Sequence, residues 1–190
     1  PKTNVYPVYF TGDIQNPKGK TIFIGINPGY NEKRNRQEQK YLKNHGLFDG
    51  YCHIFSGYFK KQSSGLVPYY ANVAGFLKRY KNIKRIDWDW LQDNLINLEL
   101  IPYHSVDAGG LRINDLEHYH HRYFLPLLKI LDHIQPQKPV FINGFPSFAP
   151  YCYQPPLNEL ITFKKIYNFW TGRINKKYDF IGLPFLTRVA

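Results

Sequence analysis

Polar side chains that could take part in chemistry lie in four short loops, and each loop follows an apolar run. These loops are Asn27-Pro28-Gly29, Pro102-Tyr103-His104-Ser105, Phe145-Pro146-Ser147 and Phe185-Leu186-Thr187-Arg188. His104 is a candidate catalytic residue because an imidazole titrates near neutral pH and can hydrogen-bond a leaving-group oxygen. A loop histidine that bonds only to backbone is the alternative. Ser147 does not lie in a nucleophile elbow, so serine-hydrolase chemistry is not indicated.

The apolar runs before these loops predict buried strands, over residues 21–26, 95–101, 139–144 and 178–184. The first run does not alternate between apolar and polar residues, which is typical of a parallel strand covered on both faces. Helix-like segments occupy residues 31–44, 69–80 and 116–134. Strands that alternate with helices predict an α/β fold, a three-layer αβα sandwich around a central, mostly parallel four-stranded sheet.

Parallel sheets of this kind bind ligands beyond the carboxyl ends of their strands. We therefore expect the loops to meet at one edge of the sheet. The stretch 46–68 is rich in Gly, Ser and aromatic residues and is interpreted as a substrate-facing loop. The sequence contains no repeat and no linker-like segment, which predicts a single domain over residues 1–190.

The turn Gly25-Ile26-Asn27-Pro28-Gly29 carries the most information. It lacks the Lys-Ser/Thr pair of a P-loop and the third glycine of a dinucleotide fingerprint. Instead, a strand ending in these residues resembles the first motif of the uracil-DNA glycosylase superfamily, in its mismatch-specific uracil/thymine and single-strand-selective branches. The alternative is an ordinary tight strand-to-helix turn, which also favours glycine and proline.

Two further stretches are similar to the same superfamily. Leu95-Ile96-Asn97-Leu98 resembles the strand whose asparagine reads the pyrimidine, and the Asn97 amide offers both an acceptor and donors for that purpose. The alternative is an asparagine that bonds only to loop backbone. Residues 183–190 resemble the last motif of the mismatch-specific branch, where the turn enters the duplex at the position that the target base has left.

The resemblance implies excision of uracil or a related damaged or modified base, from an extruded nucleotide, by water attack at the sugar C1′. Asn27 would hold and polarise the water, and the turn's backbone N–H groups would stabilise the departing anionic base. The implied base-binding residues are Gly25, Ile26, Pro28, Gly29, Asn97 and a stacking aromatic from among Tyr30, Phe48 and Tyr51. The implied DNA-binding residues are Phe185 and Leu186 as apolar wedges, together with Thr187 and Arg188. A surface arginine after an edge strand is the alternative for Arg188.

The last motif departs from the superfamily, because Pro184 and Phe185 stand where the efficient branches have histidine and proline. This departure leaves a second function open, a glycosylase-like domain that binds nucleic acid or a base-containing ligand without cleaving it. A third reading, a structural or protein-binding module, draws on the aromatic content of 17%.

The resemblance implies DNA, single-stranded or in a mismatched duplex, as the partner, and the composition favours a polyanionic partner. The formal net charge is +11, and basic residues interleave with aromatic ones, a combination that suits unpaired bases and phosphates. An AT-rich genome that encodes many lysines is the alternative. His118, His120 and His121 place only two imidazoles on one helical face, so neither a metal nor another cofactor is expected. No apolar run is long enough for a membrane span, and we expect a cytoplasmic monomer.

Overall fold

The computed structural model describes residues 8–26, 40, 43–44, 55–61, 65–102 and 113–186. The strands in these residues are β1 (Phe10–Thr11), β2 (Thr21–Gly25), β3 (Leu95–Glu99), β4 (Val140–Asn143), β5 (Ile161–Ile166), β6 (Phe169–Ile174) and β7 (Tyr178–Leu183). The helices are α1 (Pro68–Lys81), α2 (Trp88–Asn94), α3 (Leu116–Tyr119), α4 (Leu125–Ile134), α5 (Phe145–Phe148) and α6 (Leu157–Leu160). Between α3 and α4 lies a π-helical turn, His120–Phe124, and short 3-10 helices occupy Phe59–Lys61 and Ala149–Tyr153.

The strands form one seven-stranded sheet in the order β1-β3-β2-β4-β7-β6-β5. Strands β3, β2, β4 and β7 pair in parallel, and they are the strands that the apolar runs predict. β1 extends the sheet antiparallel at one side, and the β5–β6 hairpin extends it antiparallel at the other. The fold is therefore mixed α/β, as expected, but the sheet is wider than four strands and as rich in antiparallel as in parallel pairings.

The sequence pattern does not predict the β5–β6 hairpin. Its connecting residues, Tyr167 and Asn168, lack the Asn-Gly or Asp-Gly signal of a two-residue hairpin turn. Tyr167 nevertheless adopts a φ of 52°, in the left-handed region that glycine usually occupies. Along β5 only Ile161 is buried, so the sequence of this strand lacks the alternating apolar pattern from which a strand is predicted.

Alternate residues of the parallel strands face opposite layers of helices. Ile22 and Ile24 of β2 pack in the same cluster as Leu127 and Leu131 of α4. The residue between them, Phe23, belongs instead to the cluster that contains α1 and α2. Since both faces of β2 are buried, its sequence reads as a continuous apolar run, which is the pattern from which the strand is predicted.

Two predicted helices are confirmed, with local differences. Helix α1 begins at Pro68, which suits the first helical position because its missing N–H needs no partner there. The predicted helix 116–134 is interrupted by the π-helical turn. Helix α2 was not predicted; its N-cap, Asp87, accepts a hydrogen bond from the Trp90 N–H. The predicted helix 31–44 lies almost entirely outside the described residues.

The predicted loop 46–68 is described only in part, and its residues 55–59 pack into the core, whereas residues 65–68 lie at the surface. Phe55 and Phe59 are fully buried, and Phe59 stacks on Trp88 with ring centroids 6.1 Å apart. These aromatic residues therefore belong to the core and not to a substrate-facing surface. Among the helices of the described ranges, none has the length and apolar character needed to cross a membrane.

Candidate functional site

The carboxyl ends of the parallel strands lie at one edge of the sheet. Gly25 at the end of β2 pairs with Glu99 at the end of β3, and Asn143 at the end of β4 pairs with Leu183 at the end of β7. The side chains of Glu99 and Asn143 are both buried. Because this edge is where parallel sheets bind ligands, buried polar groups here are candidates for function.

A chain of side-chain hydrogen bonds crosses this edge and ends at Glu99. Asn143 Oδ1 accepts a bond of 2.9 Å from the Leu186 backbone N–H, and the Asn143 side chain lies near enough to the Tyr69 hydroxyl to lower the pKa of that phenol. The Tyr69 hydroxyl donates to Asn97 Oδ1 at 2.7 Å. Asn97 Nδ2 in turn donates to Glu99 Oε1 at 2.7 Å. We call these four side chains, Asn143, Tyr69, Asn97 and Glu99, the relay.

The relay holds the Glu99 carboxyl by one oxygen only. Glu99 is 8% exposed, and its second oxygen, Oε2, is buried without a hydrogen-bond partner in the described part of the chain. Burial raises the pKa of the Glu99 carboxyl from 4.5 to about 8, although the hydrogen bond from Asn97 opposes this change. At pH 7 the carboxyl therefore carries its proton, and Oε2 is the oxygen available to donate it.

Tyr69 belongs to the relay because of its position in α1. It is the second residue of that helix, so the start of α1 places its hydroxyl over the ends of β3 and β4. Burial raises the pKa of the Tyr69 phenol well above its usual value, and the neighbouring Glu99 acts in the same direction. The phenol therefore keeps its proton and remains the donor to Asn97.

The absence of a side chain at Gly25 makes room for the Glu99 carboxyl. A Cβ at this position would lie 2.6 Å from Glu99 Oε2 and 3.3 Å from the Tyr69 hydroxyl. Both distances are closer than such atoms ordinarily approach. Gly25 is also the residue at which β2 enters the predicted 25–29 turn, so the free Glu99 oxygen lies next to the start of that turn.

Replacing Gly25 by alanine is expected to destabilise the fold by about 1–3 kcal/mol, because the new methyl group overpacks a buried carboxyl that the relay restrains. The free energy of unfolding is measured by urea titration. Gly65→Ala is the matched control, since a Cβ there would meet no atom within 4 Å. Equal stability of the two variants would mean that Glu99 moves freely away from Gly25.

The residues after β7 are fastened to the same edge. The Asn72 side chain of α1 donates a bond of 2.8 Å to the Leu186 carbonyl, while Asn143 binds the Leu186 N–H. Phe185 packs over Gly144, where a Cβ would lie 2.6 Å from the phenylalanine ring. Gly144 also has a φ of +76°, so glycine suits this position both in conformation and in space.

The structure brings five of the predicted site residues to this edge: Gly25, Ile26, Asn97, Phe185 and Leu186. Asn97 is 1% exposed, and its amide is bonded at both ends, to Tyr69 and to Glu99. Its observed role is to hold Glu99, and its contact with a base stays a prediction. The other predicted site residues lie outside the described residues; they are Asn27, Pro28, Gly29, Tyr30, Phe48, Tyr51, His104, Thr187 and Arg188.

Sequence reasoning missed Tyr69, Glu99 and Asn143. The available signal for Glu99 was a single acidic residue inside the apolar run 95–101, and for Asn143 a single amide inside the run 139–144. Both residues end their strands, where polar side chains meet at the functional edge of a parallel sheet. Tyr69 gave no comparable signal, since it lies in a helix with many aromatic residues.

His118 and His121 contact side chains of their own helical region. His121 is bonded to Glu117 at 3.2 Å, and the His118 ring packs edge-on against Tyr123. Within the described ranges, no group of three His, Cys, Asp or Glu side chains is arranged to hold a metal ion. A cavity of about 20 Å³ lies before the amino ends of β2 and β4, between residues 17–20 and 134–138, on the side of the sheet away from the relay.

No protein-family model, curated protein or solved structure matches this chain.

Proposed function

We propose that this protein is a monofunctional DNA glycosylase that hydrolyses the bond between deoxyribose and uracil, or a related damaged or modified base, in an extruded nucleotide. The observation that carries the proposal is the buried Glu99 carboxyl, held through Oε1 while Oε2, beside Gly25, has no hydrogen-bond partner in the described part of the chain. It supplies a proton donor at the edge where the 25–29 turn begins. That turn is also the motif that resembles the superfamily.

The proposed reaction balances through Glu99 and one water molecule. The water oxygen forms a bond to C1′ as the bond from C1′ to the base nitrogen breaks. The departing base takes the proton from Glu99 Oε2, and the water returns a proton to the carboxylate. Asn27 holds the water, and the relay keeps the carboxyl oriented throughout, since general acids act efficiently only when positioned.

The arrangement of strands and helices supports a uracil-DNA glycosylase-like fold as part of this proposal. Its parallel strands lie between helical layers, and the candidate site lies at their carboxyl ends. The remaining features of the proposal are a DNA partner, single-stranded or mismatched, and a monomeric protein that needs neither metal nor cofactor. The charge of +11 favours the polyanionic partner.

One observation favours a second candidate function, recognition of a base-containing ligand without cleavage. Asn97 is bonded at both ends and Glu99 is nearly enclosed, so the relay also suits a structural polar cluster beneath a binding surface. In that case the protein would bind oligonucleotides and release no base.

Asn27→Ala is expected to lower the rate of uracil release by about 100- to 1000-fold, because the variant loses the amide that positions the attacking water. The assay uses single-stranded and mismatched oligonucleotides that contain uracil, followed by alkali to break abasic sites. Asn158→Ala, at an exposed asparagine of α6, is the control and should retain full activity.

Base release that is unchanged in Asn27→Ala would contradict the assignment of the water to that residue. If the wild-type protein releases no base from any oligonucleotide but binds them, the second candidate function replaces the first.

A further inference from the structure

The tip of the β5–β6 hairpin lies at the same edge of the sheet as the relay. Trp170 of β6 pairs with Gly182, one residue before the end of β7, and β7 ends at Leu183 beside Asn143. The last pair of the hairpin, Ile166 with Phe169, therefore lies level with these strand ends. Tyr167 and Asn168 project past them, towards the space beyond the candidate site.

The hairpin tip exposes apolar and aromatic surface. Tyr167 is 91% exposed and Phe169 46% exposed. Seven large apolar side chains are exposed in the described part of the chain, and three of them lie together at the hairpin tip: Ile166, Tyr167 and Phe169. Scattered single exposures need no explanation, but a grouped set beside a candidate site marks an interaction surface.

The same hairpin is strongly basic. Residues 160–178 contain five basic side chains and no acidic one. Arg173 is paired with Asp179 at 3.0 Å, and Lys177 with Asp132 at 2.7 Å. Lys164 and Lys165 of β5 have no carboxylate partner in the described ranges, and the Lys165 ammonium lies 5.4 Å from the centre of the Trp170 ring. The charge fits a polyanion better than another folded protein surface.

Protection of an edge strand does not account for these features. β5 is the last strand of the sheet, and lysines on such a strand prevent edge-to-edge pairing with other chains. This effect explains Lys164 and Lys165, but exposed Tyr167 and Phe169 would increase association and not prevent it. Aromatic rings beside lysines instead match the surfaces on which single-stranded nucleic acids stack their bases.

We propose that the β5–β6 hairpin tip binds single-stranded DNA, with Tyr167 and Phe169 stacking on unpaired bases and with Lys164 and Lys165 contacting phosphates. This surface would hold the strand beside the nucleotide that enters the candidate site. The position of the target nucleotide rests on the proposed function, whereas binding by the hairpin does not.

The test measures affinity for a fluorescently labelled, uracil-free single-stranded oligonucleotide by anisotropy. Tyr167→Ala and Phe169→Ala are each expected to weaken binding by about 5- to 150-fold, the range found for the loss of one stacked ring. Tyr167→Phe keeps the aromatic ring, so its affinity for the oligonucleotide should stay within about twofold of the wild-type affinity. Tyr153→Ala is the matched control, because that exposed tyrosine lies against Phe163, away from the tip.

The salt dependence of the affinity distinguishes the contribution of base stacking from the contribution of charge. Replacing both Lys164 and Lys165 by alanine should reduce the slope of log affinity against log salt by about 0.7 for each phosphate that the protein no longer neutralises. Tyr167→Ala should leave this slope unchanged while lowering the affinity. Equal weakening in Tyr153→Ala, or undiminished affinity in both Tyr167→Ala and Phe169→Ala, would overturn the proposal.

Two further outcomes are decisive. A dimer of the wild-type protein that dissociates in Tyr167→Ala, measured by light scattering without DNA, would show that a second copy covers the tip and would overturn the proposal. Stacking-dependent binding without base release would uphold the hairpin surface while refuting the glycosylase activity.

All variants are compared by circular dichroism; because Tyr167 is almost fully exposed, its replacement is not expected to disturb the core.

Discussion

Glu99→Gln is expected to lower the rate of base release by about 100- to 10,000-fold while making the folded protein more stable at neutral and alkaline pH. Glutamine preserves the acceptor for Asn97 Nδ2 but has no proton to transfer to a departing base. A variant that loses activity while it gains stability identifies Glu99 as a catalytic acid, because replacement of a residue that only supports the fold would not lower activity in a more stable protein.

The sign of the stability effect follows from the raised pKa of the Glu99 carboxyl. Between pH 4.5 and about 8 the folded chain keeps a proton that the unfolded chain has released, so stability falls as the pH rises through this window. The full change in pKa corresponds at most to about 5 kcal/mol, and we expect about 2–4 kcal/mol after local relaxation. The Glu99→Gln variant has no carboxyl to titrate, so its free energy of unfolding relative to that of the wild type should increase from pH 5 to pH 8 and then stay constant.

The measurements are urea unfolding at several pH values and single-turnover base release over the same range. In the wild type, base release should decline as the pH rises through about 8, because Glu99 then loses the proton that it donates. Glu159→Gln, at an exposed glutamate of α6, is the control. A Glu99→Gln variant with undiminished base release would exclude Glu99 as the acid, and a pH-independent stability difference would mean that the carboxyl is not held neutral.

Gly172→Ala is expected to lose about 3 kcal/mol of stability or more, the largest loss among alanine replacements of the glycines that the structure describes. A Cβ on Gly172 in β6 would lie 2.0 Å from the Thr162 carbonyl oxygen and 2.8 Å from the Phe163 Cα. Both atoms are backbone of β5, so relief requires that the two strands separate. The variant should therefore also weaken binding of single-stranded DNA if the hairpin tip carries it.

Gly75→Ala is a control for which the expected change in stability has the opposite sign. Gly75 lies inside α1, where a Cβ would meet no atom within 4 Å, and alanine is the better helix former. This variant should gain about 0.5–1 kcal/mol of stability in the same urea titration. Similar unfolding midpoints for the two variants would contradict the close approach of β5 and β6.

The parallel part of the sheet was predictable because burial on both faces leaves a direct mark in the sequence. The apolar runs that contain Phe23, Leu98 and Ile142 become β2, β3 and β4, and the ends of these strands coincide as parallel pairing requires. The outer strands were not predictable in this way. β1 is only two residues long, and the β5–β6 hairpin turns at Tyr167 without a recognisable turn sequence.

The candidate site was likewise predictable only in part. Sequence alone predicted the strand that contains Asn97 and the edge at which it ends, as well as the 25–29 turn, most of which lies outside the described residues. It did not identify the partners of Asn97, because Tyr69 and Asn97 are 28 residues apart and Tyr69 resembles its aromatic neighbours in every local property. Only the packing of α1 on the sheet brings the phenol to the amide.

The amino-acid sequence by itself determined the four parallel strands, helix α1, the helical segment 116–134 and the order in which these elements alternate, because they depend on local spacing and apolar content. The tertiary structure alone decided that Glu99 is enclosed, that it is held through Oε1 and that Oε2 lies beside a glycine. The physical reason is that a carboxyl acquires a raised pKa from the surroundings that remove its water, and those surroundings come from distant parts of the chain.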